Sequence, residues 1–322
     1  MAILKTFFYL LVYPGLVFLI VYSLFCEWFD RKTYARLQNR RGPLHTGKAG
    51  LLQPAADLIK LFSKEDIVPE KADRIMFTAL PVFGLAIILT SAMYLPIWNY
   101  SMTKTGFNSF PGDIIVLIYL LSLPTIILFL AGWHSTSFFS TIGGVRVITM
   151  FFGYEIPLLL SVLSPAILAG SWRLAEIAQF FQANPGLLSV NVIGFFIALA
   201  ALQAKLERTP FDIPHAETEI VGGTFTEYTG RKLAFFRLIT DIEMVVGSGL
   251  IATVFLGGFP GGIFSSFIWF IIKTLFVIFL LSVIKAAFSR LRIDQMVRFS
   301  WYILAPLGIL QIFITLLVKL KF

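Results

Sequence analysis

The sequence predicts an all-α integral membrane protein with about eight transmembrane helices and one amphipathic helix at the cytoplasmic interface. Apolar residues make up 57% of the chain and charged residues 14%, whereas soluble domains have about 45–50% and about 25%. Apolar runs of about twenty residues, the length that crosses the hydrocarbon core of a bilayer, recur along the chain. Basic residues collect in alternate connections between these runs. A soluble fold would lack the polar surface to cover so much apolar material, so the bilayer is the solvent that fits.

Eight apolar runs are candidates for membrane-spanning helices. They cover residues 3–25, 75–98, 112–132, 143–164, 188–206, 238–256, 262–286 and 300–319. The first run has only Lys5 ahead of it and no small-residue cleavage pattern, so we interpret it as a retained helix and not as a signal peptide. Because no long linker, low-complexity region or clear internal repeat separates the runs, we expect a single membrane domain over residues 1–322.

The basic residues predict the orientation of this domain in the cell membrane. Twenty of the 26 lysines and arginines lie in or beside the connections after the first, third, fifth and seventh runs. Cytoplasmic loops carry an excess of Lys and Arg. We therefore expect loops of about residues 26–74, 132–145, 205–237 and 285–299 to be cytoplasmic, with both termini on the opposite side. The net charge of +8 then reflects topology, and no nucleic-acid partner is expected.

Two amphipathic stretches are too short to cross a bilayer. Residues 50–62 are predicted to form a helix that lies at the cytoplasmic interface, and residues 172–183 a similar helix on the opposite side. Three prolines, at positions 124, 157 and 306, fall inside predicted spans and favour kinks there.

Two ionisable residues fall within predicted spans, where a charge is costly and needs a reason. Glu155 lies in the fourth run, two residues before Pro157, which frees a backbone carbonyl and creates a polar point. A role in proton transfer is the favoured interpretation of Glu155, and an ion pair with Arg146 or with another basic residue is the structural alternative. Lys273 lies in the seventh run and could equally extend its ammonium group to the membrane surface.

The segment 205–243 is rich in carboxylates. Its acidic residues are Glu207, Asp212, Glu217, Glu219, Glu227, Asp241 and Glu243. Prolines and glycines exclude a continuous helix through its first half. Crowded like charges raise the pKa of some carboxyl groups, which suits them to carry protons near neutral pH. His215 would be a pH-sensitive relay among them. A solvated polar loop is the alternative, and composition alone favours it.

Other chemistry finds no support in the sequence. The single cysteine, Cys26, excludes an intrachain disulfide and a paired-cysteine metal site. The three histidines are scattered, and there is no phosphate-binding glycine loop or zinc-protease motif. We therefore expect no catalytic residue, no bound cofactor and no metal site in this chain itself.

Four blocks of sequence resemble one family. Residues 30–66 contain an acidic-Arg-Lys start, an Arg-x-Gln-x-Arg-x-Gly-Pro pattern and a Gly-Leu-Leu-Gln-Pro-x-Ala-Asp pattern, and the blocks 153–160, 208–228 and 290–301 follow in order. Together they resemble the membrane subunit of respiratory complex I that forms the quinone tunnel, which related membrane-bound hydrogenases also contain. The resemblance implies eight transmembrane helices, no redox centre in this subunit, and a role in anchoring a peripheral electron-transfer arm and starting an ion path.

The resemblance also assigns roles to residues. The implied proton or ion coupling path comprises Glu155, Glu207, Asp212, His215, Glu217, Glu219, Glu227, Asp241 and Glu243. The implied peripheral-arm interface and cavity mouth comprise Asp30, Arg31, Arg36, Gln38, Arg40, Arg41, Gln53, Asp57, Lys60, Arg208, Arg290, Arg292 and Asp294. The implied partners are large and small iron–sulfur subunits of the peripheral arm, antiporter-like membrane subunits and the lipid bilayer, with iron–sulfur clusters held by the partner subunits.

Several positions depart from the pattern of the quinone-reducing members. Lys205 replaces a usual Glu, Glu207 a usual Asn, and His215 a usual acid, while Asp30 opens the first loop in place of Glu and Leu44 replaces an Asn. These changes favour the branch of ferredoxin-dependent membrane-bound hydrogenases, whose partner subunits contain a NiFe centre, or their sulfur-reducing relatives. A quinone-reducing complex is the alternative. A stand-alone secondary transporter is disfavoured because only one broken-helix region is present, and a purely structural anchor would leave the clustered acids unexplained.

Overall fold

The structure is a computed structural model that describes residues 15–97 and 111–321 of the chain, and helices dominate these residues. The helices are α1 (Leu16–Leu37), α2 (Gln53–Ser63), α3 (Arg74–Ala92), α4 (Asp113–His134), α5 (Phe138–Ala169), α6 (Leu174–Ala183), α7 (Val192–Lys205), α8 (Glu217–Ile220), α9 (Gly230–Phe255), α10 (Ile263–Ala287), α11 (Ile293–Phe299) and α12 (Ala305–Lys319). A five-residue π-helical stretch, Ser300–Leu304, joins α11 to α12.

Seven helical stretches in the described residues are long and apolar enough to cross a membrane. They are α3, α4, α5, Pro185–Lys205 (a 3₁₀ turn continuous with α7), α9, α10 and the continuous helix from α11 to α12. These stretches correspond to the second to eighth predicted runs, which confirms the prediction of an all-α membrane protein. The first predicted run, residues 3–25, lies only partly within the described residues, where its C-terminal part belongs to α1.

Helices extend beyond the predicted spans where the extra turns are polar. Helix α9 begins at Gly230 and not near residue 238, so Arg231, Lys232 and Arg237 lie on a helix that the sequence placed in a loop. Helix α1 likewise continues to Leu37 through several charged residues. Hydropathy indicates where a helix leaves the hydrocarbon core of the bilayer. The backbone hydrogen bonds of the helix can continue beyond that point, into the aqueous surroundings. The helix ends are therefore farther out than the hydropathy predicts.

Helix α9 is the central helix of the bundle. Of its most apolar window, 89% is buried inside the protein, compared with 33% for α10 and 28% for the stretch that contains α12. Small residues let neighbours approach it closely, as is common in membrane bundles. A Cβ atom added at Gly247 would lie 2.4 Å from Cδ1 of Leu202, so α7 and α9 are in contact there. The acids near the N-terminal half of α9 consequently face protein and not lipid.

Lys273 binds the end of helix α9. Its ammonium group donates hydrogen bonds to the carbonyl oxygens of Leu256 (2.7 Å) and Gly258 (2.6 Å), just after α9 ends. The last carbonyls of a helix have no partner within the helix. A cation beside them satisfies the hydrogen bonds and the negative end of the helix dipole. Lys319 plays the same role for α5 by donating to the carbonyl of Ile167 at 2.7 Å.

The amphipathic helix α2 confirms the prediction for residues 50–62. Pro54, Leu58 and Leu61 repeat at helical spacing and are buried, whereas Ile59 and Lys60 are exposed. Its buried face packs against α9 and α1. The second predicted amphipathic helix, over residues 172–183, is α6.

Candidate functional site

The acid-rich segment between α7 and α9 folds back on itself, and a glycine fixes its shape. Gly223 has φ of +56°, and a Cβ atom there would lie 1.8 Å from the carbonyl oxygen of Pro214. Only glycine fits a left-handed position in such close contact with backbone. On the other side, a Cβ atom at Gly143 would lie 2.6 Å from the backbone nitrogen of Thr224. The segment is thus held directly against helix α5.

Arginines from two other elements fix the segment further. Arg146 of α5 pairs with Glu219 at 2.6 Å and donates to the carbonyl of Ile213 at 3.3 Å. Arg290, in the connection after α10, donates to the backbone carbonyl of Asp212. Arg146 therefore does not pair with Glu155, and of the structural alternative only a pairing with another basic residue stays open. Arg290, which the sequence placed at the arm interface, instead holds the acid segment.

A cavity of about 440 Å³ lies between this segment, α9 and the first loop. The predicted coupling residues on its wall are Glu207, His215, Glu217, Asp241 and Glu243. Arg31 and Asp57 from the predicted cavity-mouth set line it as well. The fold thus brings together residues from distant parts of the sequence around a single polar cavity.

The first-loop wall of the cavity is a chain of ion pairs. Arg31 lies between two acids, Glu27 on its own helix and Asp57 of α2, and its distance to the Asp57 carboxylate is 2.7 Å. The amide of Gln53 donates to the other Asp57 oxygen at 2.9 Å. These contacts outweigh partial burial and lower the pKa of Asp57. Asp57 is therefore a fixed negative charge that orients Arg31 at the cavity.

His215 and Glu207 form the second polar pair on the wall. Their side chains are 2.5 Å apart, and the imidazole stacks on the ring of Phe225 with centroids 5.0 Å apart. Burial alone would lower the pKa of His215, but the carboxylates of Glu207 and Asp212 raise it above its ordinary value. Burial also raises the pKa of Asp212, although His215 and Arg290 act in the opposite direction. The pair thus places an imidazole in direct contact with a carboxylate on the cavity wall.

The deep end of the cavity contains a buried ion pair. The Lys205 ammonium, at the end of α7, lies 3.4 Å from the Glu243 carboxylate, and the exposed fractions of the two side chains are 0% and 4%. The ammonium also lies 5.5 Å from the centre of the Tyr154 ring. Beside Tyr154, the half-buried Glu155 has Lys205 and Ser122 as its polar neighbours. Glu155 does not line the cavity, whereas Lys205 does.

Asp30 lies inside the bundle, away from any surface that a partner could reach. Its side chain is 2% exposed and lies 3.2 Å from Arg208 and 3.4 Å from Lys285. The hydroxyl of Ser282 donates to it at 2.7 Å. Asp30 and Arg208, both predicted for the interface and cavity mouth, therefore join α1, α10 and the acid segment internally.

The remaining predicted residues are distributed over the surface. Arg36, Gln38, Arg40, Arg41, Lys60, Arg292 and Asp294 are exposed. Glu227 is half-buried and away from the cavity wall. Arg146 lowers the pKa of the exposed Glu219. Among the residues that the structure describes, no group of three or more His, Cys, Asp or Glu side chains could hold a metal ion.

Five charged residues of the site were absent from the predicted set: Glu27, Arg146, Lys205, Arg237 and Lys285. Glu27 carried a signal that could have found it, because it precedes Arg31 by four residues and so shares a helix face with it. Lys205 stood out as a departure from the family pattern but was not assigned a role. No local signal links Lys285 to Asp30, since 255 residues separate them.

Comparison with known proteins agrees with this arrangement. The family model described as NADH dehydrogenase matches residues 10–316. The H-type subunit of the NADH-quinone oxidoreductase of Dehalococcoides mccartyi is 38% identical over 309 residues, which cover 95% of this chain and 86% of that protein. Its counterpart in Carboxydothermus hydrogenoformans is 36% identical over 308 residues, which cover 93% and 85%. The counterpart in Bacillus thuringiensis is 38% identical over 295 residues, which cover 90% and 87%. This chain therefore belongs to the family of the H-type membrane subunit of NADH-quinone oxidoreductase, the complex I subunit 1 family.

Proposed function

We propose that this chain is the membrane-anchoring and coupling subunit of a complex-I-like complex. It would link electron transfer in a peripheral iron–sulfur arm to the translocation of H⁺ or Na⁺. The observation that carries the proposal is the polar cavity, whose wall joins Arg31 and Asp57 of the first-loop region to the acids of residues 207–243. One end of this cavity faces the exposed basic loop, and the other lies beside the buried Lys205 and Glu155.

Coupling would proceed through the electrostatic effect of cluster reduction on protonation in the cavity. Reduction of a cluster in a partner subunit above the first loop adds negative charge near Arg31 and its carboxylate partners. Carboxyl groups and His215 in the cavity respond by taking up protons, because a nearby negative charge favours their protonated forms. Glu155 then passes the change into the membrane. The chain itself carries out no redox step, and the iron–sulfur clusters belong to the partners. In this topology the basic loops are cytoplasmic and both termini extracytoplasmic.

The test of coupling uses Glu155→Gln and Asp212→Asn in the complete complex, purified and reconstituted in vesicles. Ions moved per electron are expected to fall by more than about tenfold, the lower range for loss of a proton-transfer group. Electron transfer measured with an uncoupler should persist. Glu70→Gln, a change of an exposed carboxylate in the first loop, serves as the control. Normal pumping by both variants would contradict the coupling path.

For the electron acceptor, we propose the branch of ferredoxin-dependent membrane-bound hydrogenases and their sulfur-reducing relatives. Lys205, Glu207 and His215 support this choice, since side chains that differ from those of quinone-reducing members form two ion pairs on the cavity wall. The partners would then be a hydrogenase-like large subunit, a small iron–sulfur subunit and antiporter-like membrane subunits.

A quinone-reducing complex is the second candidate. It is favoured by the name of the relatives, which are subunits of NADH-quinone oxidoreductase, and by a cavity of about 440 Å³, within the range of small-molecule sites.

Gentle purification of the complex from its native membranes, followed by mass spectrometry of the accompanying chains, separates the candidates. A large subunit that retains four metal-binding cysteines supports the hydrogenase. A large subunit without them indicates sulfur or quinone reduction. Recovery of this chain alone in a functional state would contradict the coupling role.

A further inference from the structure

Lys205 is a buried cation whose hydrogen bonds are unmet. Its side chain is fully buried at the C-terminal end of α7, and its closest anionic partner is Glu243 at 3.4 Å. Within the described part of the chain its ammonium group has no hydrogen-bond partner. A buried charge costs several kcal/mol unless good geometry compensates it, as an order of magnitude. One long ion-pair contact leaves that compensation incomplete.

The neighbours of Lys205 are unsatisfied too. Among the described residues, oxygen Oε1 of Glu243 and oxygen Oε2 of Glu155 are buried and lack hydrogen-bond partners. Lys205 is the principal cation acting on both carboxyl groups. A native protein rarely leaves several such atoms at one point unless the site has a role. The ammonium group therefore acts electrostatically on two carboxyl groups and fully satisfies neither of them.

The two carboxyl groups near Lys205 lie in different surroundings. Glu243 faces the cavity that holds Glu207 and His215. Glu155 lies on α5 and does not line the cavity. Besides the carboxyl groups, the ammonium meets the face of the Tyr154 ring at 5.5 Å, and the Tyr154 hydroxyl is already engaged with Thr125 at 2.9 Å. A flexible four-carbon side chain with a point charge suits movement between two such partners.

We propose that Lys205 is the positioning residue that connects the cavity to the membrane, with its ammonium group alternating between Glu243 and Glu155. The inference rests on the proposed coupling function and identifies the residue that transmits the coupling. When Glu243 takes a proton from the cavity, its attraction for Lys205 disappears. The ammonium then moves toward Glu155 and favours its ionised form, so that Glu155 releases a proton into the membrane path. Lys205 keeps its own proton throughout, and one proton enters for each that leaves.

The test compares Lys205→Met with the double variant Lys205→Met/Glu243→Gln in the complete complex reconstituted in vesicles. The single variant leaves Glu243 buried without its cationic partner, so we expect less of the complex to assemble. The double variant removes both charges, so assembly and uncoupled electron transfer should return, whereas ions moved per electron should stay reduced by more than about tenfold. Lys205→Arg, which keeps a longer cation, should retain part of the coupling.

A matched control removes another lysine–acid pair of the same subunit, in which the lysine is buried and the acid is exposed. Lys232 lies 2.8 Å from Asp66, and the double variant Lys232→Met/Asp66→Asn should pump normally. Infrared difference spectroscopy between the oxidised and reduced complex measures a signal that would not change if Lys205 had only a structural role. The protonated-carboxyl band that Glu155→Gln abolishes should also disappear from the redox difference spectrum of the double variant at Lys205 and Glu243.

The outcomes separate the two levels of the proposal. If Glu155→Gln stops pumping while the double variant at Lys205 and Glu243 pumps normally with an unchanged Glu155 band, the alternating role of Lys205 is wrong and the coupling function stands. If Glu155→Gln itself pumps normally, the role of Lys205 fails, and if Asp212→Asn pumps normally as well, the coupling function fails with it. Loss of pumping in the control at Lys232 and Asp66 would also overturn the inference, because any buried pair would then give the same result.

Discussion

At the residue scale, the pair of His215 and Glu207 makes the cavity sensitive to pH. The ordinary pKa of histidine is 6.5, and in the folded protein Glu207 and Asp212 raise it. A raised pKa means that folding favours the protonated ring. The stabilisation is complete below about pH 6.5 and is lost as the pH rises through the higher, folded-state value.

His215→Gln should therefore destabilise the complex most at low pH. We expect the difference in thermal unfolding midpoint between the native protein and this variant to be largest at about pH 6 and to shrink as the pH rises above the ordinary histidine pKa. A fluorescence or calorimetric scan of the detergent-solubilised complex measures it. His45→Gln, which changes an exposed histidine, should show no such trend. A difference that grows with pH would mean that the neutral ring is the favoured form.

Asp30 is a second residue whose replacement should destabilise the protein. Asp30→Asn leaves the cations of Arg208 and Lys285 buried with a lost anionic partner. Breaking a buried ion pair from one side costs about 3–5 kcal/mol, so we expect the variant to assemble poorly. The yield of intact complex and its thermal midpoint measure this loss. Glu70→Gln, at an exposed acid outside the predicted site sets, should leave both unchanged, and an equally stable Asp30 variant would show that the cluster contributes little.

Local sequence could not have revealed this cluster. Asp30 was assigned to the interface through the family resemblance, but its partners on α10 lie 252 and 255 residues away. Such a pairing is a property of the packed bundle. In contrast, His215 and Glu207 were identified from sequence, because like charges and a histidine crowd a single short segment. Spatial neighbours can be predicted from sequence where the interacting groups are close along the chain, and not where packing alone unites them.

At the element scale, the acid-rich segment depends on its turn geometry more than on its charges. Gly223 contacts the Pro214 carbonyl so closely that an added methyl group cannot fit. Gly223→Ala should therefore push the segment away from α5 and open the cavity wall at His215 and Phe225. We expect ion translocation to be lost and the segment to become sensitive to limited proteolysis in the purified complex.

The control for this prediction is Gly186→Ala. Gly186 lies in the 3₁₀ turn before α7, and an added Cβ atom would meet nothing within 4 Å. This variant should resemble the native protein in proteolysis and in pumping. Normal behaviour of Gly223→Ala would show that the segment tolerates displacement. The result would then argue against a fixed cavity wall.

Element type was readable from the sequence, whereas element ends were not. The apolar runs predicted where helices cross the bilayer, and prolines and glycines predicted that residues 210–223 are not one continuous helix. The extra turns of α1 and α9 escaped prediction because charged residues can continue a helix into the polar phase. The π-helical stretch before α12 precedes Pro306, which lacks the backbone N–H that a regular turn would use. The proline was recognised from sequence, but the form of the local distortion required the backbone itself.

At the scale of the whole molecule, the charge distribution predicts how the chain sits in the membrane. The exposed basic residues of the first loop, such as Arg36, Arg40 and Lys60, follow the first predicted span, whereas α6 and the turn before α7 follow the fourth. Because each span crosses the bilayer once, the two regions lie on opposite sides of the membrane. The positive-inside rule assigns the first side to the cytoplasm. This assignment is also required for a peripheral arm that receives electrons from cytoplasmic donors.

Cysteine labelling tests this orientation directly. The one native cysteine, Cys26, is buried with no exposed surface, so its background reaction with a bulky reagent should be small. Ser63→Cys marks the first-loop side and Ser189→Cys the opposite side, and both positions are exposed. A membrane-impermeant maleimide should label Ser189→Cys in intact spheroplasts and Ser63→Cys only in inverted vesicles. The reverse pattern would place the basic loops outside, and the cavity would then open away from any cytoplasmic electron donor, which would contradict both the topology and the coupling role.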